Sequence, residues 1–134
     1  MIYSADDVVQ LRVAAVYYSL EAPTEFWNLP ADEMVTICNG FGPAAWFRPI
    51  REKLTLLAGD YGVVAAIHDV QQEFGAVSSK AASWCFLRNS LKVWRKRHGL
   101  KGLAILSAWA ELALAAAVSA ALYIWGEKYW KEAS

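Results

Sequence analysis

A chain of 134 residues is long enough for one hydrophobic core and too short for two ordinary domains. With 57% hydrophobic and 19% charged residues it is excluded from the intrinsically disordered class, and seven tryptophans are a heavy load of large rings. Thirteen basic side chains balance thirteen acidic ones, which argues against a nucleic-acid partner, because such proteins carry a basic excess.

The first residues, Met1 to Asp7, contain neither a basic nor an apolar leader region, so no signal peptide is expected. Two cysteines, Cys38 and Cys85, do not make a disulfide framework; the expectation is a cytoplasmic protein with reduced thiols. Ser4 and Asp7 have the spacing of a capping box, and a helix should follow with Val8, Leu11, Ala15 and Tyr18 on one face. Pro23 and Pro30 then interrupt the pattern, so residues 21–48 read as loop with at most short helical turns. Pro49 suits the start of a helix carrying Ile50, Leu54 and Leu57 and stopping at Gly59.

Asp60 can cap the next helix, which ends at Phe74 before Gly75. Its Val63, Ile67, Val70 and Phe74 recur at i, i+4, i+7 and i+11, the spacing of a buried stripe. Ser78 or Ser79 opens a further helix that ends at Gly99, with Trp84, Leu87, Leu91 and Trp94 on one stripe and Ala82, Phe86 and Val93 on its neighbour. The last helix spans roughly 103–130. Between Ile105 and Ile124 its only charge is Glu111, and Arg95, Lys96, Arg97 and Lys101 precede it, as in a membrane span. Its alanine content and the cost of Glu111, about 2.5 kcal/mol or more in a bilayer, favour a soluble core helix instead. Ser107, Glu111, Ala115 and Ser119 form a small, polar stripe suited to close helix packing. The predicted fold is therefore all-α, a single small helical bundle with two long antiparallel central helices.

Two segments carry candidate chemistry. Cys38-Asn39-Gly40-Phe41-Gly42-Pro43 has two glycines that permit positive φ and inward-turned carbonyls, which a hard cation needs; as turn dipeptides they also make an ordinary loop. His68-Asp69 falls mid-helix, where adjacent side chains diverge by about 100° and so cannot serve one atom from one direction. Read alone, the dipeptide is a packed histidine beside a solvated aspartate. A third segment, Lys92 to His98, is a basic helix end. Solvation explains it, and with Trp94 interleaved among Arg95, Lys96 and Arg97 it also suits a lipid surface or another anionic partner.

Taken together, the glycine loop, the intervening helix, Ala66-Ile67-His68-Asp69 and then Ala81 to Asn89 resemble the prokaryotic and phage-type phospholipase A-two family, over roughly residues 34–126. The closing Ala117 to Tyr123, followed by Gly126, is similar to that family's last helix. The resemblance implies a calcium-dependent phospholipid acyl-ester hydrolase. His68 would be the general base, with Asp69 and the carbonyls around Asn39, Gly40 and Gly42 holding calcium. It also marks departures. Gln72 stands where the family has a tyrosine, and Ser79 or Ser83 where a carboxylate would orient the histidine, leaving Glu111 as a candidate replacement. Ala65 and Gln71 stand where cysteines would pair with Cys38 and Cys85. The alternative implied by these departures is a catalytically silent binding or structural module, for example a phage-encoded one acting on a host or virion protein. A small protein anchored in a membrane by its last helix is a third reading. Phospholipid is the expected partner, or else another protein.

Three other chemistries fail on residue supply. A His-Asp phosphohydrolase needs more histidines than His68 and His98. The two histidines and two cysteines lack zinc-ligand spacing, and no Gly-x-Ser-x-Gly elbow occurs.

Overall fold

The computed structural model describes residues 4–38 and 61–125, and every element among them is helical, with no strand. The helix expected over 49–59 lies outside the described residues, as does everything beyond 125 in the last one.

Helix α1 (Ala5–Tyr17) begins as its sequence dictates: the Asp7 carboxylate accepts from the Ser4 backbone N–H at 2.7 Å and the Ser4 hydroxyl at 3.0 Å. Those bonds hold the Asp7 carboxyl below its ordinary pKa. Val8, Leu11 and Ala15 are buried as the spacing requires. Ser19, at φ 55°, takes the left-handed conformation that turns the chain.

Residues 21–48 were expected to be loop with short turns, and the described part is more helical than that. Helix α2 (Thr24–Asn28) and helix α3 (Ala31–Cys38) each start directly after a proline. Pro23 and Pro30 interrupt one long helix and start two short ones, because a ring-fixed φ costs nothing at a helix start. Arg12 clamps this corner, donating from Nε to the Phe26 carbonyl at 3.0 Å and from Nη2 to the Leu29 carbonyl at 2.6 Å. Phe26, Met34 and Cys38 point into the core with it.

Helix α4 (Gly62–Phe74) ends at Gly75, φ 57°, in the left-handed cap expected of a glycine there. It packs against α1, α2 and α3 on one side and against α5 (Ser79–His98) on the other. It is enclosed on all sides: residues 62–72 are buried without exception. Asp69, expected to be solvated, is among them.

The Ser78 hydroxyl caps α5 by accepting from the Ala81 N–H at 3.1 Å. Of the two stripes read on α5, the one with Ala82, Phe86 and Val93 faces the core, together with Asn89 and Ser90. The other stripe is mixed: Trp84 is exposed, Leu87 and Leu91 are half-buried, and Trp94 is buried. Polar pairing selects this rotation of the helix. Buried Asn89 gives Oδ1 to the Glu21 N–H and Nδ2 to the Glu21 carbonyl, both at 2.9 Å, tying α5 to the α1–α2 loop. Arg88 adds a two-pronged ion pair to the Glu21 carboxylate at 2.8 and 3.2 Å, which holds that carboxyl below its ordinary value.

A 3-10 helix, Gly99–Ala104, separates α5 from α6 (Leu106–Trp125), so α6 starts three residues later than read from the sequence. Helices α5 and α6 run antiparallel. Ser119 donates to the Ser83 carbonyl at 2.6 Å and Trp94 Nε1 to the Ala108 carbonyl at 2.6 Å, so higher numbers on one meet lower numbers on the other. The inner face of α6 is Ala108, Glu111, Ala115, Val118, Ser119 and Leu122. Three of the four residues of the expected small, polar stripe are therefore inside, and Ser107 is exposed.

Candidate functional site

His68 and Asp69 occupy the middle of the enclosed α4, at 6% and 8% exposure. The His68 ring stands edge-on to Phe86 of α5, centroids 6.1 Å apart at 85°. One turn further, Gln71 Nε2 lies 3.4 Å from the Cys85 sulfur, which also receives Asn89 Nδ2 at 3.5 Å. Burial pushes the Cys85 thiol above its ordinary pKa of 9.0, and neither cysteine is in a disulfide.

The expected orienting groups are engaged elsewhere. Ser83 donates its hydroxyl to the Ser79 carbonyl at 3.1 Å, the local bond that a mid-helix serine makes to the preceding turn. Glu111, the candidate replacement carboxylate, faces the other histidine: its Oε2 is 2.9 Å from His98 Nε2 and its Oε1 is 3.2 Å from Arg97 Nε. Both carboxylate oxygens are thus taken at the far end of α5. Of the proposed calcium ligands, Asn39, Gly40 and Gly42 lie outside the described residues, and Asp69 is the one that falls within them. Calcium takes six to eight oxygens, and among the described residues no group of three or more His, Cys, Asp or Glu side chains is placed to hold a metal.

A second constellation surrounds the turn between α5 and α6. Trp94, read both as part of an apolar stripe and as suited to a lipid surface, is buried: its indole N–H reaches the Ala108 carbonyl and its ring packs against His98 and Trp109, centroids 5.6 and 5.8 Å away. Gly102 is required beneath it: a Cβ there would stand 2.5 Å from His98 Cβ and 3.2 Å from the Trp94 ring. Trp109 in turn donates to the Leu103 carbonyl at 2.9 Å. Arg97 turns inward to Glu111, whereas Arg95 and Lys96 remain exposed as expected, with the Lys96 ammonium 4.6 Å over the Tyr17 ring.

This tied-down turn presents apolar side chains outward. Leu100 is 88% exposed and Leu106 85%, with Leu103, Ile105 and Trp109 also exposed. In a 3-10 helix positions i and i+3 eclipse, so Leu100 and Leu103 stand over one another. The outward face of α6 continues from Leu106 and Trp109 through alanines to Tyr123 and Ile124. The window Leu106–Ile124 is long and apolar enough to cross a membrane, and only 33% of it is buried.

No protein-family model, no curated protein and no solved structure matches the chain. Sequence reasoning set His98 aside and so missed its pairing with Glu111. It also missed the outward leucines. The available signal was Gly99-Leu100-Lys101-Gly102-Leu103, two glycines that let a short turn fold tightly under leucines with nowhere inside to go.

Proposed function

We propose that the chain is a lipid-surface module. It is built on a phospholipase A-two-like helix pair, binds a phospholipid bilayer through the α5–α6 hairpin, and does not hydrolyse it. The observation that carries this reading is the outward apolar face of α6 and the turn before it. Residues 62–72 of α4 are all buried, whereas ten of the nineteen residues in the apolar window of α6 are exposed. Tryptophan and tyrosine at positions 109 and 123 suit the boundary between headgroups and acyl chains. Each fully buried leucine contributes about 1.5–3 kcal/mol, so Leu100, Leu103 and Leu106 together give reversible rather than permanent attachment.

Absence of hydrolysis is supported by the burial of His68 and Asp69 and by the serines at 79 and 83, which lack the charge that would stabilise an imidazolium. A second reading, the calcium-dependent acyl hydrolase, is favoured by one contact. Gln71, the position where the family resemblance puts a cysteine, lies against Cys85. In that reading His68 takes the proton from the attacking water, and Asp69 belongs to the calcium ligands.

Labelled phospholipid vesicles, with and without calcium, separate the two. The module reading expects the protein to sediment with vesicles, to be stripped by alkaline carbonate as a surface protein, and to release no fatty acid. Calcium-dependent release that is abolished in His68→Gln would replace it with the hydrolase. Resistance to carbonate would replace it with a membrane-spanning anchor.

A further inference from the structure

Where the end of α1 meets the end of α5, a cleft of about 710 Å³ opens to solvent between Tyr18 and Ser19 on one wall and Lys92, Arg95 and Lys96 on the other, with Leu100 and Leu103 at its rim. Three features distinguish it from an ordinary solvated helix end. First, the charge is one-sided. Although the whole chain is neutral, residues 75–110 contain seven Lys or Arg and no Asp or Glu. Glu21, from the α1–α2 loop, answers Arg88 and Lys92 with one carboxylate, 2.8 and 4.0 Å away. Second, the cations nearest the leucines are unspent. The Arg95 guanidinium has no hydrogen-bond or ion-pair partner among the described residues, and the Lys96 ammonium rests on the Tyr17 ring without an acidic partner. Third, the leucines are held out by construction. The tryptophan pair, Gly102 and the Trp109 bond to the Leu103 carbonyl fix the turn that carries them.

Cations lining a cleft, with 85–88% exposed leucines at and beside its rim, match one chemistry: an anion joined to hydrocarbon. We infer that this cleft seats the phosphodiester headgroup of an anionic phospholipid, with Arg95 and Lys96 on the phosphate and Leu100, Leu103 and Leu106 among the acyl chains. The inference rests on the lipid-surface reading above and adds to it the lipid charge selected and the residues that select it.

The test is sedimentation with vesicles of phosphatidylcholine alone and of phosphatidylcholine mixed with phosphatidylglycerol, at physiological salt. Wild type should bind the mixed vesicles more tightly. The Arg95→Gln, Lys96→Gln double variant should lose about thirtyfold on the mixed vesicles and markedly less on the neutral ones, where choline offsets each phosphate. The Leu100→Ser, Leu106→Ser variant should lose affinity for both. Added inorganic phosphate should not displace the protein; displacement at low concentration would make this a soluble-anion site and overturn the lipid assignment. Equal affinity for both vesicles, unchanged in the double variant, would overturn the headgroup seat and leave surface binding intact. No sedimentation with either vesicle would overturn both, as would a dimer that the leucine variant dissociates, since the face would then belong to a second copy of this chain. Unchanged circular dichroism of each variant confirms that loss of binding is not loss of fold.

Discussion

Helices α4 and α6 are both rich in apolar residues and use them in opposite ways. On α4 even the polar side chains are inside: His68, Asp69, Gln71 and Gln72 are buried with the valines. On α6 even large apolar side chains are outside, with Leu106 and Ile124 more than half exposed. The lesson is that hydrophobic content alone does not say what covers a helix. Position decides it: α4 is surrounded by α1, α2, α3 and α5, whereas among the described residues α6 rests chiefly on α5 and the 3-10 turn.

The sharpest way to break this contrast is to truncate one side chain on each helix. Ile67→Ala in α4 should cost about 2–5 kcal/mol in urea unfolding, the transfer energy of the lost carbons plus the cavity. Leu106→Ala should stay within about 0.5 kcal/mol, as surface changes do. Equal losses would mean that the α6 face is covered by protein.

Next in size is the polar tie between α5 and α6. Glu111→Ala removes the partner of both Arg97 and His98 and should destabilise by about 1.5–3 kcal/mol, the range for hydrogen bonds to charged groups. Arg97→Gln should cost less, because its side chain keeps some solvent contact and leaves Glu111 still bonded to His98. A null result for Glu111→Ala would show that the hairpin is held by its apolar face alone.

The smallest effect belongs to the ion pair that anchors the α1–α2 loop. Glu21 and Arg88 are both half exposed, so Glu21→Gln should cost only about 0.2–1 kcal/mol. Its pH dependence has a definite sign. The folded-state carboxyl titrates below its ordinary 4.5, so its contribution is complete above that value and fades as pH falls through the lower, folded one. Wild type and Glu21→Gln should therefore converge in stability in acid.

Much of the helical order was legible in the sequence because it rests on local chemistry. The Ser4–Asp7 box, the left-handed cap at Gly75, the positive-φ Gly99 that ends α5 and the period of Val63, Ile67 and Val70 are all short-range signals. What was misread depends on distant partners. The rotation of α5 turns on Asn89 reaching Glu21, so the stripe with Trp84 and Leu87 looked as good a core as the one with Phe86 and Val93. Trp94 looked like an interface residue in the middle of a basic run, yet the Ala108 carbonyl, fourteen positions away, draws it inside. Glu111 was weighed from the sequence against His68 alone, and the antiparallel register of α5 and α6 brings it to His98. For the candidate catalytic pair, the spacing pointed to a packed His68 and gave no sign that Asp69 is enclosed as well.

The central claim is that the outward face of α6 meets hydrocarbon and the α3 side of the molecule does not. Cys38 and Cys85 are buried, so a cysteine introduced on the surface can be labelled selectively with an environment-sensitive fluorophore. Labels at Ala113→Cys, on the outer face of α6, and at Asp32→Cys, on exposed α3, should behave differently when mixed phosphatidylcholine and phosphatidylglycerol vesicles are added. The account predicts a blue shift at 113 and none at 32; no shift at either position, or the same shift at both, would contradict it.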